Sequence, residues 1–316
     1  RGNTPLAKRK RGRYKRFEIN APAGALWVFD EIHNCRNGKS WQAQLLIDVV
    51  NAKFPVHMLG ATPFEDPTQL KAIGHALRLF KSPEWFNWCR VNGRCVPGIY
   101  GGLVYTGGDS FMRELRKQIE DRLDRVDIKD VGNLPELIFQ TRPIAVEDTK
   151  ALDQAYIELL ESQQEEAPEA LTIRLRARQI IEHQKLRSHF ELAEEFIEAG
   201  QQIIHFVNFK DSVAGLKILH EGTGRNIGVI DGDTSEQKRN ALIKAFNKGY
   251  VTVLIINYQS GGVGLNLQDL TGDFPRTAIM YLTDSATDFK QATGRTYRDG
   301  SASSCRFVVT PSAATA

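Results

Sequence analysis

The stretch GALWVFDEIHNC, residues 24–35, carries an apolar run from Leu26 to Phe29 straight into two adjacent carboxylates, Asp30 and Glu31, with His33 close behind. A strand that leaves a core on solvated acids would account for this much, because charged groups are seldom buried unless paired. The residues around it decide between that reading and a site. Downstream, 39–53 reads as an amphipathic helix with Trp41, Leu45, Leu46, Val49 and Val50 at helical spacing, 56–59 as a short strand and 67–80 as a helix. Strand and helix in alternation indicate a parallel α/β layout.

Farther along, 91–109 is glycine-rich and broken by Pro97, so it reads as an irregular excursion. Residues 109–124 and 149–199 are helical and heavily charged, and suit a connector between lobes. After Gly200 the alternation resumes: QIIHFVNF, IGVI, VTVLII, TAIMYL and CRFVV as strands, with helices over 210–221, 234–248 and 286–293. Apolar runs this continuous belong to strands covered on both faces. The division expected is therefore 1–145, a helical connector over 146–199, and 200–316.

A chain of 316 residues is long for one core, which agrees with two domains. Hydrophobic residues at 41% and charged residues at 25% describe a globular chain, neither fibrous nor disordered. No apolar segment reaches the length that spans a bilayer, and the basic N-terminus lacks the apolar core of a signal peptide, so an intracellular protein with no membrane partner is expected. The four cysteines form no CxxC pair, which argues against a zinc site and for reduced thiols.

The net charge of +3 conceals an asymmetry. KRKRGRYKR, residues 8–16, holds seven of the 41 basic residues, and the remaining 34 face 38 acids. Lys8, Arg9, Lys10, Arg11 and Arg13 are thus candidates to contact a phosphate backbone, with Tyr14 placed to stack on a base. A solvated loop would also explain the run.

In open parallel sheets ligands bind beyond the carboxyl ends of strands. Here those positions carry DEIH, GATP (60–63), VNFKD (207–211), DGDTS (231–235), INYQSGGVGLNLQD (256–269) and, one helix later, QATGRTYR (291–298). Five stretches in this order, DEIHNCRNGKSWQAQLL, GATP, GDTSEQKRNALIKAFN, GGVGLNL and QATGRTYRDG, resemble the superfamily 2 helicases and translocases, within them the Swi/Snf-type branch, and the run LQDLTGDFPRTAIMYL is similar to phage- and virus-encoded members. DVGNLPELIFQTRPIAVE, 130–147, looks like the branch's passage from one lobe to the other.

The resemblance implies an α/β fold of two RecA-like lobes, with parallel sheets flanked by helices and a helical connector. It implies ATP and magnesium as cofactors and nucleic acid, double-stranded DNA above all, as partner. Asp30 would hold the metal, Glu31 would position the attacking water, and His33 would couple the nucleotide to lobe motion. Gln291, Arg295 and Arg298 would reach the phosphates from the second lobe, since guanidinium forks suit phosphate oxygens. Gly262, Gly264 and Asn266 would lie against the nucleotide, glycine permitting close backbone approach. Thr62, Lys210, Ser260 and Gly261 would contact nucleic acid, although Gln259 stands where family members often carry an arginine.

One family element has no counterpart. RNGKSW, 36–41, contains GKS but follows the acids and lacks the earlier glycine of a GxxxxGK[ST] phosphate loop. The reading is then of the downstream part of a larger ATPase, binding ATP poorly and hydrolysing it negligibly by itself. A non-catalytic nucleic-acid-binding or regulatory module with the same fold is the alternative, and a restriction-type translocase or repair helicase the nearest competitor among motors.

Overall fold

The alternating pattern folds into two units, Arg1–Arg125 and Val126–Ala316, in a computed structural model that describes residues 6–10, 15–60, 63–98, 101–122, 124, 134–144, 146, 148–164, 168–261, 265–283 and 285–311. In the first unit, β1 (Ala7–Arg9) and β2 (Phe17–Ile19) form an antiparallel hairpin, and β3 (Trp27–Phe29) leads through a 3-10 turn over Ile32–Cys35 to α1 (Trp41–Asn51). Ser40 caps α1 by accepting from the Ala43 amide at 3.0 Å, which is why the helix starts two residues after the expected 39. β4 (Val56–Met58) pairs in parallel with β3, as the alternation implied. The helix expected over 67–80 is shorter: a 3-10 turn at Pro67–Gln69 precedes α2 (Lys71–Ala76). α3 (Trp85–Val91) follows, and the excursion contains an antiparallel pair, β5 (Cys95–Pro97) and β6 (Leu103–Tyr105), before α4 (Gly108–Gln118). Ile32, Leu46, Leu70, Ile73, Phe111 and Leu115 centre the core of this unit.

The second unit begins with β7 (Leu137–Thr141), then α5 (Thr149–Gln164), α6 (Pro168–His183) and α7 (Leu186–Glu198). Next come β8 (Gln202–Val207), α8 (Lys210–Glu221), β9 (Ile227–Ile230), α9 (Glu236–Asn247) and β10 (Val253–Asn257). The short α10 (Tyr258–Gly261), β11 (Arg276–Met280), α11 (Ala286–Thr296) and β12 (Cys305–Val309) complete it. Six strands make one sheet in the order β7-β12-β11-β8-β10-β9, every pairing parallel.

Adjacent strand residues face opposite sides, and both sides here are covered. Ile204, Phe206, Leu254, Ile256, Met280 and Phe307 enter one core cluster, whereas Ile203, Val207, Val253, Ile255, Ile279 and Val308 enter the other. That two-sided demand explains the unbroken apolar runs.

The unit boundary differs from the expected 145. Leu137–Thr141 pairs with Cys305–Val309, a partner in the distant sequence, so this strand belongs with the second sheet. The span 146–199 also does more than connect. α7 buries Leu186, Leu192, Ala193 and Phe196 in the same cluster as the sheet residues, at helical spacing.

Candidate functional site

In the first unit the acid pair sits in a turn tied to the end of β4. Asp30 is exposed, and its Oδ1 accepts the Glu31 amide at 2.9 Å. Glu31 takes left-handed backbone angles, φ 52° and ψ 57°, and its Oε2 lies 3.3 Å from His33 Nδ1. A left-handed conformation costs a non-glycine residue about 1–2 kcal/mol, and strain of that kind collects at functional sites. β3 ends at Phe29, so the two acids lie beyond the strand, and the turn at Glu31 rather than strand alternation sets their directions.

The DEIH and GATP elements meet directly. The Ile32 amide donates to Leu59 O at 2.8 Å, and the Leu59 amide to Phe29 O at 2.9 Å. A Cβ on Gly60 would stand 3.1 Å from Ile32 Cγ2 and 3.2 Å from the Ile32 nitrogen, so the turn's approach explains the glycine that opens GATP. Arg36, which sequence reasoning did not single out, donates to Pro63 O at 3.3 Å and pairs with Glu65 at 3.1 Å, joining both motifs again. Thr62 lies outside the described residues.

Magnesium favours carboxylate oxygen and keeps several waters. The exposed Asp30 carboxylate fits that chemistry, and no cluster of three or more His, Cys, Asp or Glu side chains able to hold a metal is present among the described residues. Any ion held by Asp30 would take its remaining ligands from water and substrate phosphate.

The basic arm is folded where it is described. Lys8, Arg9 and Lys10 lie on or beside β1, with the Lys10 amide donating to Arg16 O at 2.9 Å; Arg11, Arg13 and Tyr14 lie outside the described residues. The Arg9 guanidinium stands 4.2 Å over the Trp41 ring, Lys15 Nζ stands 5.3 Å from it, and Phe17 meets the same ring edge-on. Asp48, buried in α1, accepts from Arg16, from the Phe17 amide and from Gln44. These contacts dock the hairpin on α1, so Lys8 and Arg9 belong to a strand and not to a loop, while their side chains stay exposed.

In the second unit the candidates fall into two groups, at opposite ends of the strands. At the carboxyl edge, Asn257 Nδ2 donates to Asn208 O at 3.0 Å, and Lys210 Nζ lies 2.7 Å from Asp233 Oδ2. That hydrogen bond raises the Lys210 pKa. The Thr234 hydroxyl bonds the Asp231 carboxyl and lowers its pKa. Ser260 and Gly261 sit in α10 directly after β10, their side-chain surroundings outside the described residues.

The QATGRTYR group lies at the other end. Arg298 donates to Asn266 Oδ1 at 2.9 Å, the Leu267 amide donates to Arg295 O at 2.9 Å, and Asn247 Nδ2 donates to Asn266 O at 3.2 Å. Asn247 Oδ1 in turn accepts from Arg276, the first residue of β11. Burial lowers the Arg276 pKa to about 10.

So Asn266 and Arg298 join at the amino end of the sheet, not at its carboxyl edge. The reason is the crossover: α11 must carry the chain back to where β12 begins, and its last turn holds Arg295. Arg295 therefore sits in the last turn of α11, and Arg298 lies beyond the helix. Gln291 and Arg295, four apart within α11, share a helical face. Gly262 and Gly264 lie outside the described residues.

A buried polar ladder in the charged helical stretch escaped sequence reasoning. Glu182 in α6 accepts from the Asn208 amide, Asn208 Nδ2 and the Phe209 amide. Burial raises its pKa, against those hydrogen bonds. Lys185 Nζ donates to Thr310 O at 3.0 Å, and burial lowers its pKa to about 8. His189, His205 and His220 are wholly buried beside it, the last two 3.1 Å apart through their Nε2 atoms. The only sequence signal was histidine at positions of apolar periodicity.

Residues 188–300 match the family model described as the helicase conserved C-terminal domain. A protein of Acanthamoeba polyphaga mimivirus, provisionally named an ATP-dependent RNA helicase, is 26% identical over 91% of this chain and 56% of its own length. The ATP-dependent RNA helicase RhlB of Shewanella sp. (strain ANA-3) is 25% identical over 66% of this chain and 48% of its own. The chain thus spans about half the length of these relatives. Among solved structures, the Sulfolobus solfataricus SWI2/SNF2 ATPase core in complex with dsDNA is 17% identical, over 90% of this chain and 63% of that one, with a TM-score of 0.42. The C-terminal part of the Fun30 ATPase domain is 12% identical, over 58% and 87%, with a TM-score of 0.43. The expected likeness to superfamily 2 helicases is borne out, and the residues that match the helicase C-terminal model lie in the second unit, whose six strands form one parallel α/β sheet. No described helix is long and apolar enough to cross a membrane.

Proposed function

We propose that this chain, with its helicase C-terminal domain, is part of an ATP-dependent nucleic-acid motor of the Swi/Snf-like type, moving along duplex DNA. Asp30 holds magnesium and Glu31 positions water, while Gln291, Arg295 and Arg298 stabilise charge on the transferred phosphoryl group. Gly262, Gly264 and Asn266 approach the nucleotide, and His33 links its state to motion. Thr62, Lys210, Ser260, Gly261 and the basic arm hold the nucleic acid, mostly through phosphates and so with little dependence on sequence. The observation that carries this reading is the Arg298–Asn266 hydrogen bond, which unites two motifs about thirty residues apart in sequence.

The test is ATP turnover by the full-length gene product with duplex, single-stranded and forked DNA and with RNA, each at two salt concentrations. Stimulation by duplex DNA, lost in Glu31→Gln and lowered about 10³-fold in Arg298→Ala, is expected. Turnover indifferent to every nucleic acid would refute the motor and favour a regulatory module.

A further inference from the structure

The element rejected as a nucleotide phosphate loop, RNGKSW, lies beside a cavity of about 470 Å³ in the first unit. Lys15, Arg16, Lys39 and Lys71 all line it, and no acidic side chain does. We propose that this cavity seats a phosphodiester of a nucleic-acid backbone, with Lys15, Lys39 and Lys71 as its charged contacts. The proposal rests on the motor reading and gives the first unit a specific grip on the polymer.

Three features make the cavity a built one. Lys15 Nζ donates to Lys39 O at 2.5 Å, which joins the arm to the start of α1. The Lys71 stem crosses Gly38, where a Cβ would come within 2.7 Å of Lys71 Cδ and 3.0 Å of Lys71 Cβ, so glycine lets the lysine lie across the turn. Lys71 Nζ also stands 5.8 Å from the Trp85 ring, an aromatic face that holds a cation without neutralising it. The Asp48 carboxylate, which reaches the lining residues Arg16 and Gln44, is spent on them and on the Phe17 amide. The lining cations carry net positive charge, and Ser40, the cap of α1, stands in the cavity wall, adding the positive end of an eleven-residue helix.

A polymer suits the site better than an isolated anion. From Lys39 the cations run through Lys15 onto the hairpin, where Lys8 faces Glu18, Arg9 faces Phe17, and the Lys10 amide bonds Arg16 O. A line of cations beyond the cavity matches an anion whose charges also repeat along a line.

The experiment measures binding of a labelled 20-base-pair duplex to the full chain without ATP, by fluorescence anisotropy across 50–200 mM salt. Each lost phosphate contact lowers the slope of log K against log salt by about 0.9. Lys39→Gln with Lys71→Gln should therefore flatten the slope by about 1.8, and Lys71→Met, which keeps the stem over Gly38, should match the single Lys71→Gln loss. Lys117→Gln, on the exposed face of α4, should change the slope by much less. Equal losses in all variants, the control included, would overturn the site in favour of diffuse charge. Stronger competition by polyglutamate or ATP than by unlabelled duplex of equal charge would overturn it in favour of a peptide or nucleotide site. Wild-type binding in the double variant refutes the cavity and spares the motor, whereas cavity-dependent binding without nucleic-acid-stimulated turnover does the reverse.

Discussion

Acidification should loosen the second unit through its three buried histidines. His189, His205 and His220 are fully buried, and burial holds the pKa of His220 at about 4 and those of His189 and His205 well below the ordinary 6.5. Lys185 lowers His189 further, and His220 and His189 lower His205; for His220, Arg225 lowers the value against Glu194, which raises it.

Above pH 6.5 each ring is neutral whether the chain is folded or unfolded, so no stability depends on it. Below that, the unfolded chain takes up protons that the folded chain refuses, and stability falls with pH; for His220 the loss is complete near pH 4. At pH 5 His220 costs about 2 kcal/mol, a large share of the 5–15 kcal/mol that holds a domain, and His189 and His205 act in the same direction. Asp231 and Asp269 have pKa values below the ordinary 3.8, so their contribution is lost under more acidic conditions.

All four tryptophans lie in the first unit and would not report this change. Amide exchange in β8 and β10, corrected for intrinsic rates between pH 7.5 and 5, reads it directly. His220→Gln should reduce the pH slope by about 1.4 kcal/mol per unit over the window. Protection in β8 that stays constant down to pH 5, or a slope unchanged in His220→Gln, would refute the reasoning.

Other outcomes follow from the same contacts. Gly60→Ala should destabilise the first unit by about 1–3 kcal/mol, because its methyl meets Ile32, and urea unfolding followed by tryptophan fluorescence measures it. Glu31→Asn, a residue tolerant of left-handed backbone, should raise the melting temperature of that unit while abolishing ATP turnover. Glu182→Ala strands the amides of Asn208 and Phe209 and should cost about 1–3 kcal/mol in chemical denaturation, read by far-ultraviolet circular dichroism. Asn266→Ala frees Arg298 and, on the proposed motor reading, should lower ATP turnover with little change in melting temperature.

The class of fold and the helicase likeness were legible in the residues alone, because they rest on local patterns. Apolar runs such as VTVLII announce strands covered on both faces, and the order of DEIH, GATP, GGVGLN and QATGRTYR carries the likeness. Contacts between distant residues were not legible. Nothing near Leu137–Thr141 says that it pairs with Cys305–Val309, and nothing near Glu182 says that it holds the loop after β8. Nor does KRKRGRYKR reveal that Arg9 and Lys15 close on Trp41, or QATGRTYR that Arg298 meets Asn266 away from the carboxyl edge. Periodicity records which face of an element avoids water, a property of neighbours along the chain. Which two faces or side chains then satisfy one another depends on the direction in which each crossover returns, and only the folded chain settles that.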